Sequence, residues 1–353
     1  METFCLDGDI DEIVEGLGET AGAFEGKTIL LTGGRGFLGR YFTSVFGFLN
    51  KKVFSNPCKL IAVDNLITAG ETGAKKPEYE EGYTFIQHDV IQPFHPTEPI
   101  DYILHAAGIA SPYYYRKYPL ETLEVAIWGT KNMLEVARAH QAKLLFFSSS
   151  EIYGDPESRY VPTPESYRGN VSSLGPRACY DESKRTGETL CRVYHEYFGV
   201  SCQIVRPFNV YGPGMGEHDY RVLPNFASRI IGGQPLHVYG TGHQTRTFCY
   251  VVDAITGFIK VLDEGTPGEA YNIGNEKPEI SMLDLVEMIR EATGKSVEMD
   301  TVDYPDSYPP EEPLRRCPDL TKARRHLNYS PRVDLKEGLR RFFRWAEGVY
   351  TGS

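Results

Sequence analysis

A doubly wound parallel α/β sheet with a smaller C-terminal lobe is the fold class that the sequence predicts. Three observations predict it. From about residue 25 onward, short apolar runs alternate with helical patterns. A glycine-rich turn, Thr32-Gly33-Gly34-Arg35-Gly36-Phe37-Leu38-Gly39, stands between the first apolar run and the first long helical pattern. Asp64, Gly108 and Ser149 fall at the ends of successive runs, so they should line one crevice at the carboxyl edge of the sheet.

Residues 1–24 are acidic and glycine-containing, with a short helix expected near Asp11–Leu17; they read as an N-terminal extension without catalytic content. Thr28-Ile29-Leu30-Leu31 then reads as a strand and Arg40-Tyr41-Phe42 as the start of a helix. Between them Gly33, Gly36 and Gly39 recur at every third position. One such glycine permits the tight turn, one lets backbone approach a pyrophosphate, and one lets the helix pack on its strand. The helix N-terminus adds free N–H groups and a positive dipole end. This strand–turn–helix context points to a Rossmann-type dinucleotide site. The second strand, Lys59–Val63, ends in Asp64, placed to bind a ribose and to repel the extra phosphate of NADP. NAD is therefore the expected cofactor.

Tyr83–Gln87, Tyr102–Leu104, Lys143–Phe147 and Cys202–Val205 read as further strands. His105-Ala106-Ala107-Gly108 follows one of them with small residues that let backbone lie close to a cofactor. Pro119–His140 carries apolar residues at helical spacing from Leu120 to Ala137 and reads as one helix; Cys179–Phe198 reads as the next. Beyond Arg206 turns dominate, and Leu283–Ala292 and Leu335–Val349 read as helices of the smaller lobe. On the latter, Leu335, Leu339, Phe342, Phe343 and Ala346 form a core stripe, while Arg340, Arg341 and Arg344 read as a solvated face. The expected division is 1–24, an extension; 25–206, the NAD-binding part; and 207–353, mainly a substrate lobe, with part of 245–275 returning to the sheet.

The 353 residues carry a net charge of -11, with 41% hydrophobic and 24% charged residues. That balance excludes a nucleic-acid surface, so an anionic ligand needs a local arginine cluster. No stretch is long and apolar enough for a membrane span, and the N-terminus lacks a basic-then-apolar signal. The seven cysteines are scattered without metal spacing, which reads as reduced thiols in a cytoplasmic protein with no metal site.

Tyr180-Asp181-Glu182-Ser183-Lys184 is the candidate reaction centre. Tyrosine and lysine four apart share a helix face. A free phenol titrates near about pH 10, and a neighbouring cation together with the nicotinamide should lower that value. The tyrosine then removes a hydroxyl proton while hydride leaves the same carbon for NAD.

From about Lys27 to Gly348 the chain resembles extended short-chain dehydrogenase/reductases that modify nucleotide sugars. The resemblance rests on Thr32 to Gly39, His88-Asp89, His105 to Gly108, Ser149-Ser150-Glu151, Tyr180 to Lys184 and Arg206-Pro207-Phe208-Asn209. Within that family it is most similar to UDP-glucuronate decarboxylases, through Ser150 to Pro156, Gly175 to Glu182, Gln244 to Phe248 and the stretch from Glu311 to Asp319. The resemblance implies NAD contacts from Gly33, Gly36, Phe37, Leu38, Gly39, Asp64, Asn65, Asp89, Val90, Ala107, Tyr180 and Lys184. It implies catalysis by Tyr180, Lys184 and Ser149, with Glu151 handling protons near the sugar C5. Tyr115, Ser150, Asn209, Arg221, Tyr239, Arg246 and Arg315 or Arg316 are the implied contacts to a nucleotide sugar, a UDP-sugar first. A homodimer is implied, with the Pro119–His140 and Cys179–Phe198 helices packing against their copies. Rival activities are a nucleotide-sugar 4,6-dehydratase or 4-epimerase, and outside catalysis an NAD-binding regulator.

Overall fold

In a computed structural model, residues 4–68, 82–304 and 312–352 are described; Glu311 of the decarboxylase-like stretch lies outside them. Among the described residues, six strands of the main sheet precede residue 208: β1 (Thr28–Thr32), β2 (Lys59–Asp64), β3 (Tyr83–Gln87), β4 (Tyr102–His105), β5 (Lys143–Phe147) and β6 (Cys202–Pro207). The Ala270–Ile273 strand joins them beyond β6. The spatial order is Ala270–Ile273, β6, β5, β4, β1, β2, β3, and every pairing is parallel. The order reverses at β1, where the crevice of such a sheet opens.

Strand side chains alternate between two cores, as the pleat requires. Ile29, Leu31, Leu104, Leu145, Phe147 and Val205 face one core, with α1 (Asp7–Leu17), α2 (Phe37–Lys52) and the Val251–Glu264 and Leu335–Glu347 helices. Leu30, Ile103, Leu144, Phe146 and Ile204 face the other, under the Thr130–His140 and Ala178–Phe198 helices. Both faces are covered, which is why these strands read as continuous apolar runs.

Three elements differ from the sequence reading. The Pro119–His140 segment is not one α-helix: Pro119–Glu124 leads into a π-helical turn at Val125–Gly129 before Thr130–His140 resumes. A Cβ on Gly129 would sit 2.9 Å from Val90 Cγ2, so the backbone presses on the loop after β3 at this turn. Leu120, taken as part of the apolar stripe, is exposed.

The N-terminal segment is part of the core rather than an appendage. Its helix begins at Asp7, four residues before the expected start, and its 3-10 continuation runs to Phe24. Ile10, Ile13, Leu17 and Phe24 are buried among α2 and the Val251–Glu264 helix. Asp9 accepts hydrogen bonds from Tyr250 Oη at 2.8 Å and Tyr41 Oη at 3.4 Å. Arg341 is correspondingly not on a solvated face: it meets Asp9 at 3.2 Å, Glu12 at 2.8 Å and Glu337 at 2.7 Å.

Beyond β6 the chain adds small sheets that roof the crevice. Val210–Tyr211 pairs with Cys249–Tyr250, Leu236–Tyr239 with Met299–Val302, and Thr245–Arg246 lies between Ile280–Ser281 and Arg315–Arg316.

Candidate active site

A cavity of about 1520 Å³ runs from the glycine turn to the small sheets. Of the site residues expected from sequence, all except Arg315 line it.

At one end the turn after β1 is held by packing that only glycine allows. Gly33 has φ +70°, and a Cβ there would lie 2.9 Å from the Ala106 carbonyl. A Cβ on Gly39 would lie 2.1 Å from the Gly33 carbonyl oxygen, so the third glycine is what brings α2 onto the turn. Gly36 differs: a Cβ there would meet only Gly33 O at 3.4 Å, and would otherwise stand in the open cavity at the start of α2. This is a cradle into which a pyrophosphate fits, with its charge toward a helix N-terminus. Asp64 accepts from the Arg35 N–H at 2.9 Å and the Leu66 N–H at 2.8 Å, and Asn65 donates to Asp89 at 3.0 Å. Carboxylate oxygens have lone pairs to spare for ribose hydroxyls.

His105 braces this end. Its Nδ1 lies 2.8 Å from Thr32 Oγ1 and its Nε2 3.1 Å from Thr130 Oγ1, and Thr32 Oγ1 accepts from the Ala107 N–H at 3.2 Å. Burial pushes the imidazole down to about 3, with Lys184 adding to the effect, so it is neutral. Sequence reasoning had attended to the small residues after it and missed this role.

In the middle of the cavity Tyr180 and Lys184 lie one turn apart on the Ala178–Phe198 helix. Lys184 Nζ donates to the Phe147 carbonyl at 2.8 Å, and burial pushes the ammonium down to about 8. Burial pushes the Tyr180 phenol up to about 12, against the hydrogen bond from Ser149 that favours ionisation. Among the protein's own groups, burial outweighs Ser149 and favours the neutral phenol. The Tyr115 ring stacks on it. Ser149 also accepts from the Glu151 N–H at 3.2 Å, which fixes the strand-end turn.

The far end is an alternating chain of ions. Arg316 and Arg177 both grip Glu151, the former through a second contact at 2.8 Å. Arg177 also holds Glu312 at 3.0 Å, and Glu312 pairs with Arg246. Burial pushes Glu151 up, but the guanidinium groups of Arg177 and Arg316 outweigh it and hold the carboxyl at about 2. Arg221 is paired with Asp219 at 2.7 Å, and Asn209, at φ +42°, donates to the Thr247 carbonyl at 2.7 Å.

Arg315 requires a correction. It points away from the cavity onto Glu279, at 2.7 Å and 2.8 Å, and its neighbour Arg316 is the one that lines the site. The two sit in a strand, where successive side chains face opposite sides. Arg177 and Glu312 were missed as individual residues. Arg177 could have been found: it lies one helical turn before Tyr180, on the same face.

Comparison with known proteins places the chain in a family. UDP-glucuronic acid decarboxylase 5 of Arabidopsis thaliana is 39% identical over 311 residues, covering 88% of this chain and 86% of that protein. An epimerase from Methanothermobacter thermautotrophicus superposes with a TM-score of 0.79 at 28% identity, covering 93% of this chain and 94% of that one. The UDP-glucuronic acid 4-epimerase of Bacillus cereus, solved with UDP-glucuronic acid and NAD, superposes with a TM-score of 0.74 at 27% identity, covering 92% of this chain and 100% of that one. Residues 29–274, more than half the chain, match the NAD dependent epimerase/dehydratase family, and the chain belongs to that family.

Proposed function

We propose that this chain is an NAD-dependent UDP-glucuronate decarboxylase that forms UDP-xylose. The observation that carries the reading is the buried ion chain beside Tyr180. Three guanidinium groups, Arg177, Arg246 and Arg316, stand there against two carboxylates, Glu151 and Glu312, and leave one positive charge over. A sugar carboxylate supplies the missing negative charge, and guanidinium forks suit its planar oxygens.

NAD is held by Gly33, Gly36, Phe37, Leu38, Gly39, Asp64, Asn65, Asp89, Val90 and Ala107, which all face the cavity. Bound there, it supplies the oxidant and then the reductant at the sugar C4. Tyr180 Oη takes the C4 hydroxyl proton, with Ser149 hydrogen-bonded to the phenol and Lys184 buried one turn on. The C4 carbonyl makes the sugar a β-keto acid, so carbon dioxide leaves with the electron pair delocalised into that carbonyl. Tyr180 returns its proton to the C4 oxygen at re-reduction.

Residues 207–353 supply most of the nucleotide contacts: Asn209, Arg221, Tyr239 and Arg246 line the cavity there, joined by Tyr115 and Ser150 from the first half. The uridine assignment rests on the decarboxylase relatives. A homodimer is supported by apolar side chains left exposed on the two expected helices, Leu120 and Trp128 on one and Val193, Tyr197 and Phe198 on the other. Light scattering checks it: a monomer at micromolar concentration rules it out. Cytoplasmic residence is supported by the lack of any disulfide between cysteines of the described residues. No helix among the described residues is long and apolar enough to cross a membrane.

The test is incubation with UDP-glucuronate, read by mass spectrometry and proton NMR. Loss of carbon dioxide supports the reading, and Tyr180→Phe should abolish it. An unchanged mass with inverted C4 means a 4-epimerase, and loss of water from a neutral hexose nucleotide means a dehydratase.

A further inference from the structure

Decarboxylation consumes a proton that the residues described so far do not supply. Carbon dioxide leaves a carboxylate without taking a proton. The electron pair of the broken bond stays with the C4–C5 enolate, and one proton must join C5. Tyr180 cannot give it, because its proton returns to the C4 oxygen. Glu151 rests ionised between Arg177 and Arg316 and must itself be supplied. Each turnover therefore draws one proton from solvent.

Behind the active site is a second cavity of about 230 Å³, with room for several waters. The two cavities lie back to back, and three chain segments cross the partition. Glu151 lines the large cavity and Gly154 the small one; Tyr180 the large and Asp181 the small; Glu312 the large and Pro313 the small. Arg177 lines both.

Asp181 stands on this partition and forms no ion pair among the described residues. It is 5% exposed, and its Oδ1 has no hydrogen-bond partner among the described residues. Burial, and then the charge of Glu151, push it up to about 7, against Arg177 and Arg316 and with a small addition from Glu182 on the same helix. Asp155 lines the same small cavity. A carboxyl group so placed carries a proton at neutral pH for a substantial fraction of the time.

We propose that Asp181 is the proton relay of this enzyme: it takes a proton from water in the second cavity and passes it across the partition to Glu151, which delivers it to C5. Asp181 touches neither sugar nor cofactor and acts through Glu151. The inference rests on the decarboxylase reading above.

The experiment compares wild type, Asp181→Asn and Asp181→Glu with UDP-glucuronate in deuterium oxide. Carbon dioxide release, cofactor reduction, UDP-xylose formation and deuterium at C5 are followed separately. In Asp181→Asn, carbon dioxide release and the burst of reduced cofactor persist, which also shows that the site is folded. UDP-xylose formation slows by about tenfold or more. The 4-keto pentose nucleotide escapes, with deuterium on both faces of C5, where wild type places it on one. Asp181→Glu restores one-faced delivery. In wild type, UDP-xylose formation declines above about pH 7 as Asp181 ionises, and Asp181→Asn lacks that limb.

Asp181→Asn making UDP-xylose at the wild-type rate, with the same pH profile and one-faced deuterium, overturns the relay. So does an equal loss of all steps in Asp181→Asn and Asp181→Glu, which identifies a structural wall. Wild type releasing no carbon dioxide overturns the decarboxylase reading itself, and the relay with it.

Discussion

The rings of Tyr115 and Tyr180 stack with centroids 5.1 Å apart and planes 16° from parallel. The phenol that takes the substrate proton is thus positioned by a second tyrosine from a different helix, Pro112–Lys117, as well as by its own backbone. Removing the stacked ring should release it. Tyr115→Ala is expected to cost about 3–5 kcal/mol of stability through the cavity it leaves, and to lower kcat more than KM. Tyr115→Phe keeps the ring and should keep most of the rate. Denaturant melts and steady-state kinetics check both.

Lys184 should give stability and activity opposite pH dependences. Burial pushes its ammonium from 10.5 down to about 8. The folded protein is therefore penalised for holding it charged below about pH 8, and the penalty is relieved as pH rises toward the unfolded value. The ammonium beside Tyr180 is lost over the same interval, so kcat should fall as pH rises through about 8. A Lys184→Met variant should show neither slope, measured by pH-dependent melts and single-turnover rates.

Arg315 and Arg316 should differ sharply when truncated. Arg315→Ala loses a partly exposed pair with Glu279 and should cost about 1 kcal/mol or less. Arg316→Ala leaves Glu151 undercompensated and should cost about 2–5 kcal/mol in kcat/KM for UDP-glucuronate. Arg316→Lys should recover only part, because a point charge cannot replace the fork.

Two glycines of the turn should separate folding from cofactor binding. Gly39→Ala drives its methyl into the Gly33 carbonyl and should cost about 1–3 kcal/mol of stability. Gly36→Ala meets no such clash, so it should melt like wild type yet bind NAD more weakly. Calorimetric titration with NAD distinguishes them.

Asp9 should make the protein less stable as pH rises into the weakly acidic range. Burial pushes its carboxyl from 3.8 up to about 6, so the folded state holds this proton more tightly than the unfolded state. Stability is then lost between about pH 4 and 6, and Asp9→Asn should flatten that slope. Asp9→Ala, which strands Tyr250 and Arg341, should lose about 1–3 kcal/mol.

The cofactor half of the site was legible because local chemistry dictates it. Gly33 and Gly39 are required within a single turn, and Tyr180 and Lys184 share one helix face. The anion-binding half was legible only by family resemblance, because its pairs join distant segments. Arg177 meets Glu312 across 135 positions, and Glu151 meets Arg316 across 165. Choosing between Arg315 and Arg316 required the strand's facing direction, which two residues do not reveal. The π-helical turn lies where Gly129 meets Val90, a contact between elements that the helical spacing does not show. Burial raises Tyr180 and lowers Lys184, and sequence carries no direct measure of depth.

The family match starts at residue 29, within β1, yet the packed unit starts with α1. A chain trimmed to the shared family segment would strip the cover from Phe46, Tyr41 and Tyr250 and leave Arg341 without Asp9 and Glu12. Where this protein can be cut, fused or spliced is therefore set by its first helix, and an edit guided by homology alone would fall inside the folded body.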